Sequence, residues 1–130
     1  MIKKEIINSD NSPKAIGPYS QAILIDKFIF ISGQIPLDKN TNNLISSDFK
    51  LQVFQCLNNI KGILKEKDLS VNCIIKMTVY LTDLDNFSKL NDVFIDFFDS
   101  NQYPTRAAVE VSKLPKDSQV EIDAICIDNN

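Results

Sequence analysis

The period at which apolar residues recur changes along this chain, and the changes predict where helices and strands alternate. Residues 48–67 repeat at helical spacing, with Ser46 or Ser47 placed to cap the start. Asp85 or Asn86 can cap a second helix. This helix is expected to end at Tyr103-Pro104, because the residue before a proline avoids helical angles. The apolar stripe of that helix is Phe87, Leu90, Phe94 and Phe97. Between the two helices, residues 75–81 alternate apolar and polar side chains, which is typical of a strand with one covered face.

Short apolar segments bounded by turn residues predict the other strands. The first strand is predicted at residues 5–7, and a hairpin joins residues 20–25 to 28–33 through Asp26-Lys27. Two final strands are predicted at residues 106–111 and 119–127. The order β-β-β-α-β-α-β-β indicates an α+β fold, with one sheet and two helices on one face. No repeat or linker divides the chain, so residues 1–130 are predicted to form a single domain.

The last two strands carry charged residues at alternate positions. Ala107, Val109 and Val111 share one face and are expected to meet the helices. The other face would then carry Arg106, Ala108 and Glu110 on one strand, and Glu121 and Asp123 on the other. Because antiparallel sheets commonly expose one face to water, the pattern leaves open whether this charged face is solvated or lines a cleft.

Histidine is absent from the chain, and this removes several kinds of chemistry together. Ser-His-Asp and Cys-His catalysis and histidine-based zinc sites are all excluded. No cofactor and no metal site is predicted. The net charge is −3, and the lysines at 61, 65 and 67 alternate with acidic residues. Since phosphate backbones are bound chiefly by basic patches, the sequence argues against nucleic acid as a partner.

The cysteines and the hydrophobic pattern indicate a cytoplasmic protein without a membrane span. Cys56, Cys73 and Cys126 form no CxxC pair and are expected to be free thiols in a reducing compartment. The N-terminus lacks the apolar core of a secretory signal. The longest apolar stretch, residues 22–31, is too short to cross a bilayer and is broken by two charged residues.

Arg106 is the only arginine among 14 basic residues. A single guanidinium in a chain that otherwise uses lysine suggests a position where planar, bidentate geometry matters, as in binding a carboxylate. A structural ion pair is the alternative explanation.

Six segments, spread over nearly the whole chain and in order, resemble the RidA (YjgF-type) family. They are residues 15–22 (AIGPYSQA), 32–36 (SGQIP), 75–84 (IKMTVYLTDL), 104–111 (PTRAAVEV), 114–117 (LPKD) and 120–124 (VEIDA). The resemblance implies a mixed sheet like that of chorismate mutase from bacilli. It also implies a homotrimer whose sheets surround a central barrel, with clefts between neighbouring subunits. The implied activity is hydrolysis of 2-iminopropanoate and 2-iminobutanoate, or their enamine tautomers, to 2-oxoacids and ammonia.

The resemblance also implies roles for individual residues. Arg106 matches the arginine that holds the substrate carboxylate, and Glu121 matches the glutamate that positions or activates the attacking water. Tyr19 matches a tyrosine at the rim of the cleft, which the resemblance places with the catalytic residues because its ring can cover the substrate and its hydroxyl can donate a hydrogen bond. The alternative interpretations are that Glu121 only faces solvent and that Tyr19 only packs against its neighbours.

Four further positions, those of Ser32, Gly33, Asn91 and Ala108, match substrate-binding positions of the family. Ser32 and Gly33 match a strand end where the backbone approaches the ligand, and Asn91 matches a helix position near the cleft, with solvated surface as its alternative. Ala108 stands where many relatives carry cysteine, so hydrolysis here cannot depend on a thiol at that position. The alternative functions are a non-catalytic trimer that binds metabolites or acts as a chaperone and, with less support, an RNA-cleaving translation inhibitor.

Overall fold

The computed structural model describes residues 2–130, which form six strands and two α-helices in the predicted order. In chain order the elements are β1 (Lys4–Ile7), β2 (Ala22–Ile25), β3 (Phe28–Gln34), α1 (Phe49–Lys65), β4 (Ile74–Leu81), α2 (Phe87–Phe97), β5 (Thr105–Glu110) and β6 (Val120–Ile127). The predicted α+β class is confirmed. Most boundaries agree within two residues, but α2 ends at Phe97, well before the Tyr103-Pro104 pair that was expected to stop it.

The strands form one mixed sheet in the order β1-β2-β3-β6-β4-β5. The predicted hairpin between β2 and β3 is confirmed, and β6 lies antiparallel between β3 and β4. Only β4 and β5 pair in parallel within the described residues. Parallel neighbours need a crossover connection, and α2 supplies it. This crossover places β5 at the edge of the sheet with α2 beside it.

Both helices pack on the same face of the sheet, called here the helix face. On that face lie Met77 and Val79 of β4 and Val120 and Ile122 of β6, all fully buried. The buried side of α1 contacts β6 and β3, and Leu90 and Phe94 of α2 complete the core.

The predicted helix caps are only partly correct. Asp48, not Ser46 or Ser47, caps α1, because its carboxylate accepts a hydrogen bond of 3.0 Å from the Leu51 amide. Asn86 occupies the N-cap of α2 without a side-chain bond. Asp83 instead caps the 3-10 turn Leu84–Asn86 that leads into it. No helix of the described chain is both long and apolar enough to cross a membrane.

The opposite face of the sheet, called here the open face, carries apolar side chains that nothing in the single chain covers. Ile6, Phe28, Phe30 and Val109 are each more than two-fifths exposed. The register aligns Ile6 with Ile23, and Phe30 with Ile125, across neighbouring strands. An uncovered apolar area of this kind commonly marks a surface of interaction.

Candidate active site

A first cavity of about 360 Å³ opens beside the ends of β3 and β6, and Glu121 lines it. Tyr19, Gly33 and Lys116 are among the other lining residues. The neighbours of Glu121 on β6, Val120 and Ile122, are buried on the helix face, so Glu121 itself points to the open face. This cavity is called the carboxylate half-site below.

The loop before β2 is fixed in place and holds Tyr19 at the rim of the carboxylate half-site. The buried amide of Gln21 donates to the carbonyls of Ser9 and Pro13 at 3.1 and 2.8 Å and accepts from the Ser9 amide at 2.6 Å. A side chain at Gly62 on α1 would come within 2.9 Å of the carbonyl carbon of Asn11, so the glycine lets this loop lie directly on the helix. Tyr19 remains 52% exposed.

Gly33 leaves the space that the Glu121 side chain occupies. A Cβ atom at position 33 would lie 2.8 Å from Cδ of Glu121 and closer still to one carboxylate oxygen. The neighbouring Ser32 hydroxyl donates a 2.6 Å bond to the Ser20 carbonyl, which ties β3 to the approach of β2. The Ser32 hydroxyl is therefore engaged in a structural bond within the chain.

The pKa of Glu121 lies above its ordinary value. Burial of the carboxyl is the main cause, and the negative charge of Asp123 on the same face adds to it. Asp123 in turn accepts a 3.1 Å hydrogen bond from the Tyr80 hydroxyl. A carboxylate with a raised pKa in a cavity is suited to accept a proton near neutral pH.

A second cavity of about 470 Å³ lies beside β5 and α2 and contains Arg106. Nη2 of Arg106 donates a 2.7 Å hydrogen bond to Oδ1 of Asn91. The guanidinium carbon lies 4.8 Å from the ring centre of Phe94 and 5.3 Å from that of Phe87. Partial burial lowers the pKa of Arg106. This cavity is called the guanidinium half-site below.

The predicted face assignment of β5 is wrong. Arg106 and Ala108 lie on the helix face, in register with the buried Met77 and Val79 of β4. Val109, which was expected to meet the helices, is 44% exposed on the open face. The physical reason is that the open face is itself apolar, so alternation of polarity cannot tell the two faces of this edge strand apart.

The predicted site residues therefore fall into two groups within one chain. Tyr19, Gly33 and Glu121 line the carboxylate half-site, while Asn91 and Arg106 line the guanidinium half-site. Ser32 borders a shallow depression with Gly33, and Ala108 packs half-buried against the core. Arg106 and Glu121 point to opposite faces of the sheet and do not meet inside the chain.

The two aromatic rings that hold Arg106 could not be recognised from the sequence as part of a site. Phe87 and Phe94 appeared only as members of a core stripe. Their spacing around Asn91, four residues before it and three after, places all three on one face of α2. That spacing was the available signal, but it becomes informative only once β5 is known to lie beside α2.

Comparison with known proteins gives consistent matches over nearly the full chain. The model of the family described as endoribonuclease L-PSP matches residues 9–127. A RutC family protein of Pyrococcus horikoshii is 51% identical over 122 residues, covering 94% of this chain and 96% of that protein. The human protein named 2-iminobutanoate/2-iminopropanoate deaminase is 40% identical over 124 residues, covering 95% and 90%. The crystal structure of Escherichia coli TdcF with bound serine superposes with a TM-score of 0.89 at 45% identity, covering 95% of this chain and 98% of that chain.

Proposed function

Because this chain belongs to the endoribonuclease L-PSP (YjgF/RidA) family, we propose that it hydrolyses small 2-imino acids and their enamine tautomers to 2-oxoacids and ammonia. The proposed substrates are 2-iminobutanoate and 2-iminopropanoate, the compounds in the name of the human relative. TdcF, the Escherichia coli relative, is likewise named as a candidate reactive intermediate deaminase. The proposal treats residues 1–130 as one catalytic domain acting in the cytoplasm.

The observation that carries this proposal is the pair of complementary half-sites. One presents a carboxylate with a raised pKa in a cavity, and the other presents a guanidinium whose charge no acidic group of the described chain neutralises. A 2-imino acid needs both groups, because it has a carboxylate to bind and an imine carbon to hydrate.

We further propose that the two half-sites join between neighbouring subunits of a homotrimer. Arg106 and Glu121 lie on opposite faces of one sheet, so a single chain cannot bring them to one substrate. A heterologous interface, in which the β5–α2 edge of one chain meets the carboxylate half-site of the next, closes into a ring and pairs the two groups three times. The apolar open face supports this assembly, because a neighbouring chain can cover it.

The chemistry follows from these positions. The guanidinium fork of Arg106 holds the substrate carboxylate by two charge-assisted hydrogen bonds. The imine reacts with its nitrogen protonated, and the enamine first takes a proton from solvent at its terminal carbon to become this iminium. Glu121 of the neighbouring chain takes a proton from water while the water oxygen bonds to the iminium carbon and the carbon–nitrogen π electrons move to nitrogen, giving a neutral carbinolamine. Glu121 then returns the proton to that nitrogen, the carbon–nitrogen bond breaks with its electron pair leaving on ammonia, and the carbinolamine hydroxyl becomes the 2-oxo group as its proton passes to solvent. The Tyr19 ring covers the rim of this cleft.

A coupled assay tests the proposed function directly. Threonine dehydratase releases the enamine of 2-oxobutanoate, which hydrolyses slowly without a catalyst. Adding this protein is expected to accelerate formation of 2-oxobutanoate and ammonia beyond the effect of an equal mass of inert protein. Equal rates with and without the protein would refute deaminase activity and favour the binding-protein alternative.

RNA cleavage, the activity in the description of the family model, is not our proposal for this chain. The net charge is −3, histidine is absent, and Arg106 is the single arginine. Binding to a phosphate backbone needs clustered basic groups. RNA degradation that persists in a Glu121→Gln, Arg106→Ala variant after repurification would show that another site acts on RNA.

Gly33→Ala is expected to reduce deaminase kcat/KM by about 100-fold, because misplacing a catalytic group by about 1 Å has an effect of that size. The added methyl group would occupy the space of the Glu121 carboxylate. The thermal unfolding temperature should change little, since the end of a flexible side chain can move aside. The same substitution in a Glu121→Gln background serves as the control and should have little further effect. Full activity of Gly33→Ala would show that the position of this carboxylate does not matter.

Asp123→Asn is expected to move the acidic limb of the kcat/KM profile to lower pH. The negative charge of Asp123 raises the pKa of Glu121, so its removal lets Glu121 ionise at lower pH. Asparagine can still accept the Tyr80 hydrogen bond. The measurement is the pH–rate profile after subtraction of the uncatalysed rate. Asp68→Asn, an exposed site where the positive φ tolerates asparagine, is the control. An unmoved limb would show that the charge of Asp123 does not raise the pKa of the group that titrates in this limb.

A further inference from the structure

The guanidinium of Arg106 lies against groups that carry no charge. It donates to the Asn91 amide at 2.7 Å and faces the rings of Phe94 and Phe87 at 4.8 and 5.3 Å. The ion pairs formed within residues 2–130 join Lys50 to Asp92 and Lys67 to Glu5, and neither includes Arg106. The positive charge of Arg106 is therefore held in place without being neutralised by its own chain.

One face of α2 supplies this uncharged surrounding. Phe87, Asn91 and Phe94 follow one another at spacings of four and three residues, which brings their side chains onto the same face of a helix. β5 runs beside α2 and directs Arg106 toward that face, next to the buried Met77 of β4. The amide thus contacts the guanidinium between two aromatic rings.

The choice of an amide has an electrostatic consequence. A guanidinium has five N–H donors, and the Asn91 oxygen engages one nitrogen, while the rings attract the cation without accepting its remaining donors. An aspartate carboxylate has the same shape, but it would accept hydrogen bonds from more of the guanidinium N–H groups and would neutralise the positive charge. An incoming carboxylate would then have to displace an existing ion pair.

We propose that Asn91 is a positioning residue, whose neutral side chain orients the Arg106 fork while leaving its full charge for a substrate carboxylate. This proposal rests on the proposed function only in taking Arg106 as the carboxylate-binding group. It assigns to Asn91 an action through Arg106 in place of the direct substrate contact implied by the resemblance. It predicts that asparagine serves here better than aspartate, although both side chains can accept the same hydrogen bond.

The test compares Asn91→Asp with Asn91→Leu. The probe is 2-oxobutanoate, the stable product, and its dissociation constant is measured by calorimetry. Asn91→Asp is expected to weaken binding by about 10–100-fold, because the added carboxylate neutralises the Arg106 charge that strengthens hydrogen bonds to a ligand carboxylate. Asn91→Leu loses one orienting hydrogen bond and should weaken binding by about 3–10-fold. In the coupled assay, Asn91→Asp should raise KM more than it lowers kcat.

Asn72→Asp, on an exposed turn away from both half-sites, is the matched control, because it changes the net charge by the same amount. It should bind 2-oxobutanoate as the wild type does. A role for Asn91 as a simple structural support predicts the opposite ranking, since aspartate would hold Arg106 at least as firmly as asparagine. Binding by Asn91→Asp as tight as that of the wild type would therefore overturn the proposal.

The binding readout separates this proposal from the deaminase function. A wild-type protein that binds 2-oxobutanoate but does not accelerate the dehydratase reaction would refute the function, and the comparison of the Asn91 variants would still decide the role of this residue. A wild-type protein that does not bind 2-oxobutanoate would overturn the proposal, because the proposal takes Arg106 as a carboxylate-binding group.

Discussion

Arg106→Lys is expected to lower the kcat/KM of imine hydrolysis by about 10–100-fold, although the positive charge is kept. Lysine cannot form the two parallel hydrogen bonds of the fork, and the loss of one bond to a carboxylate is worth about 1.5–3 kcal/mol. The substitution also removes the bond to Asn91 and weakens the contact with Phe94. The measurement is the rate of 2-oxobutanoate formation in the dehydratase assay at limiting protein concentration.

Lys50→Arg is the matched control for this exchange of cationic side chains. Lys50 forms an exposed ion pair of 3.0 Å with Asp92 on α2. Exposed pairs contribute about 0–1 kcal/mol, so this variant should keep nearly full activity. Retention of wild-type kcat/KM by Arg106→Lys would show that positive charge, without bidentate geometry, is sufficient, and the carboxylate-recognition argument would fail.

Two inactive variants are expected to regain activity when they assemble together. Arg106→Ala removes the guanidinium, and Glu121→Gln removes the carboxylate that we propose as the catalytic base. If each site takes Arg106 from one chain and Glu121 from the next, every mixed trimer contains one site with both native residues. Random assembly of equal amounts gives about three quarters mixed trimers, and hence about a quarter of all sites restored. Coexpression of the two variants, followed by the dehydratase assay, measures this recovery.

The control for this experiment is the same two variants purified separately and mixed without subunit exchange, which should remain inactive. A site completed within one chain predicts no recovery after coexpression, because each chain would carry its own defect. That outcome would contradict the assembly between subunits. A gel-filtration mass near that of a single chain would contradict it independently.

Local pattern was sufficient to predict the element order and most boundaries. The stripe on α1 and the alternation in β4 are properties of short segments, and each segment has one side that must be buried. For this reason most of the residues that became buried could be read from spacing alone. Ile75 is an exception, because an irregularity in the pairing of β4 with β6 buries Ile74 and leaves Ile75 exposed. The N-cap of α1 was harder to predict than the helix itself, because Ser46, Ser47 and Asp48 can all accept a hydrogen bond from a helix amide. Only the path of the loop selects Asp48.

The residues of the candidate site were named largely through the resemblance to a known family. Composition contributed the singular arginine and the absence of histidine. The buried amide of Gln21 fixes the loop that carries Tyr19, but residue spacing could not predict this role. Its partners Ser9 and Pro13 lie 12 and 8 residues away along the chain. Hydrogen bonds of this kind exist only after the loop has folded back.

The amino-acid sequence alone was enough to establish the α+β class, the order of the strands and helices, and the chemical groups available for catalysis. It could not establish on which side of the sheet Arg106 lies. One face of β5 carries Arg106, Ala108 and Glu110, so the alternation favoured burial of the apolar face with Val109, which the structure leaves exposed. The side of the sheet on which Arg106 lies is decided by packing against α2, where Asn91 and two aromatic rings contact the guanidinium. That contact depends on the parallel crossover from β4 to β5, which only the tertiary structure contains.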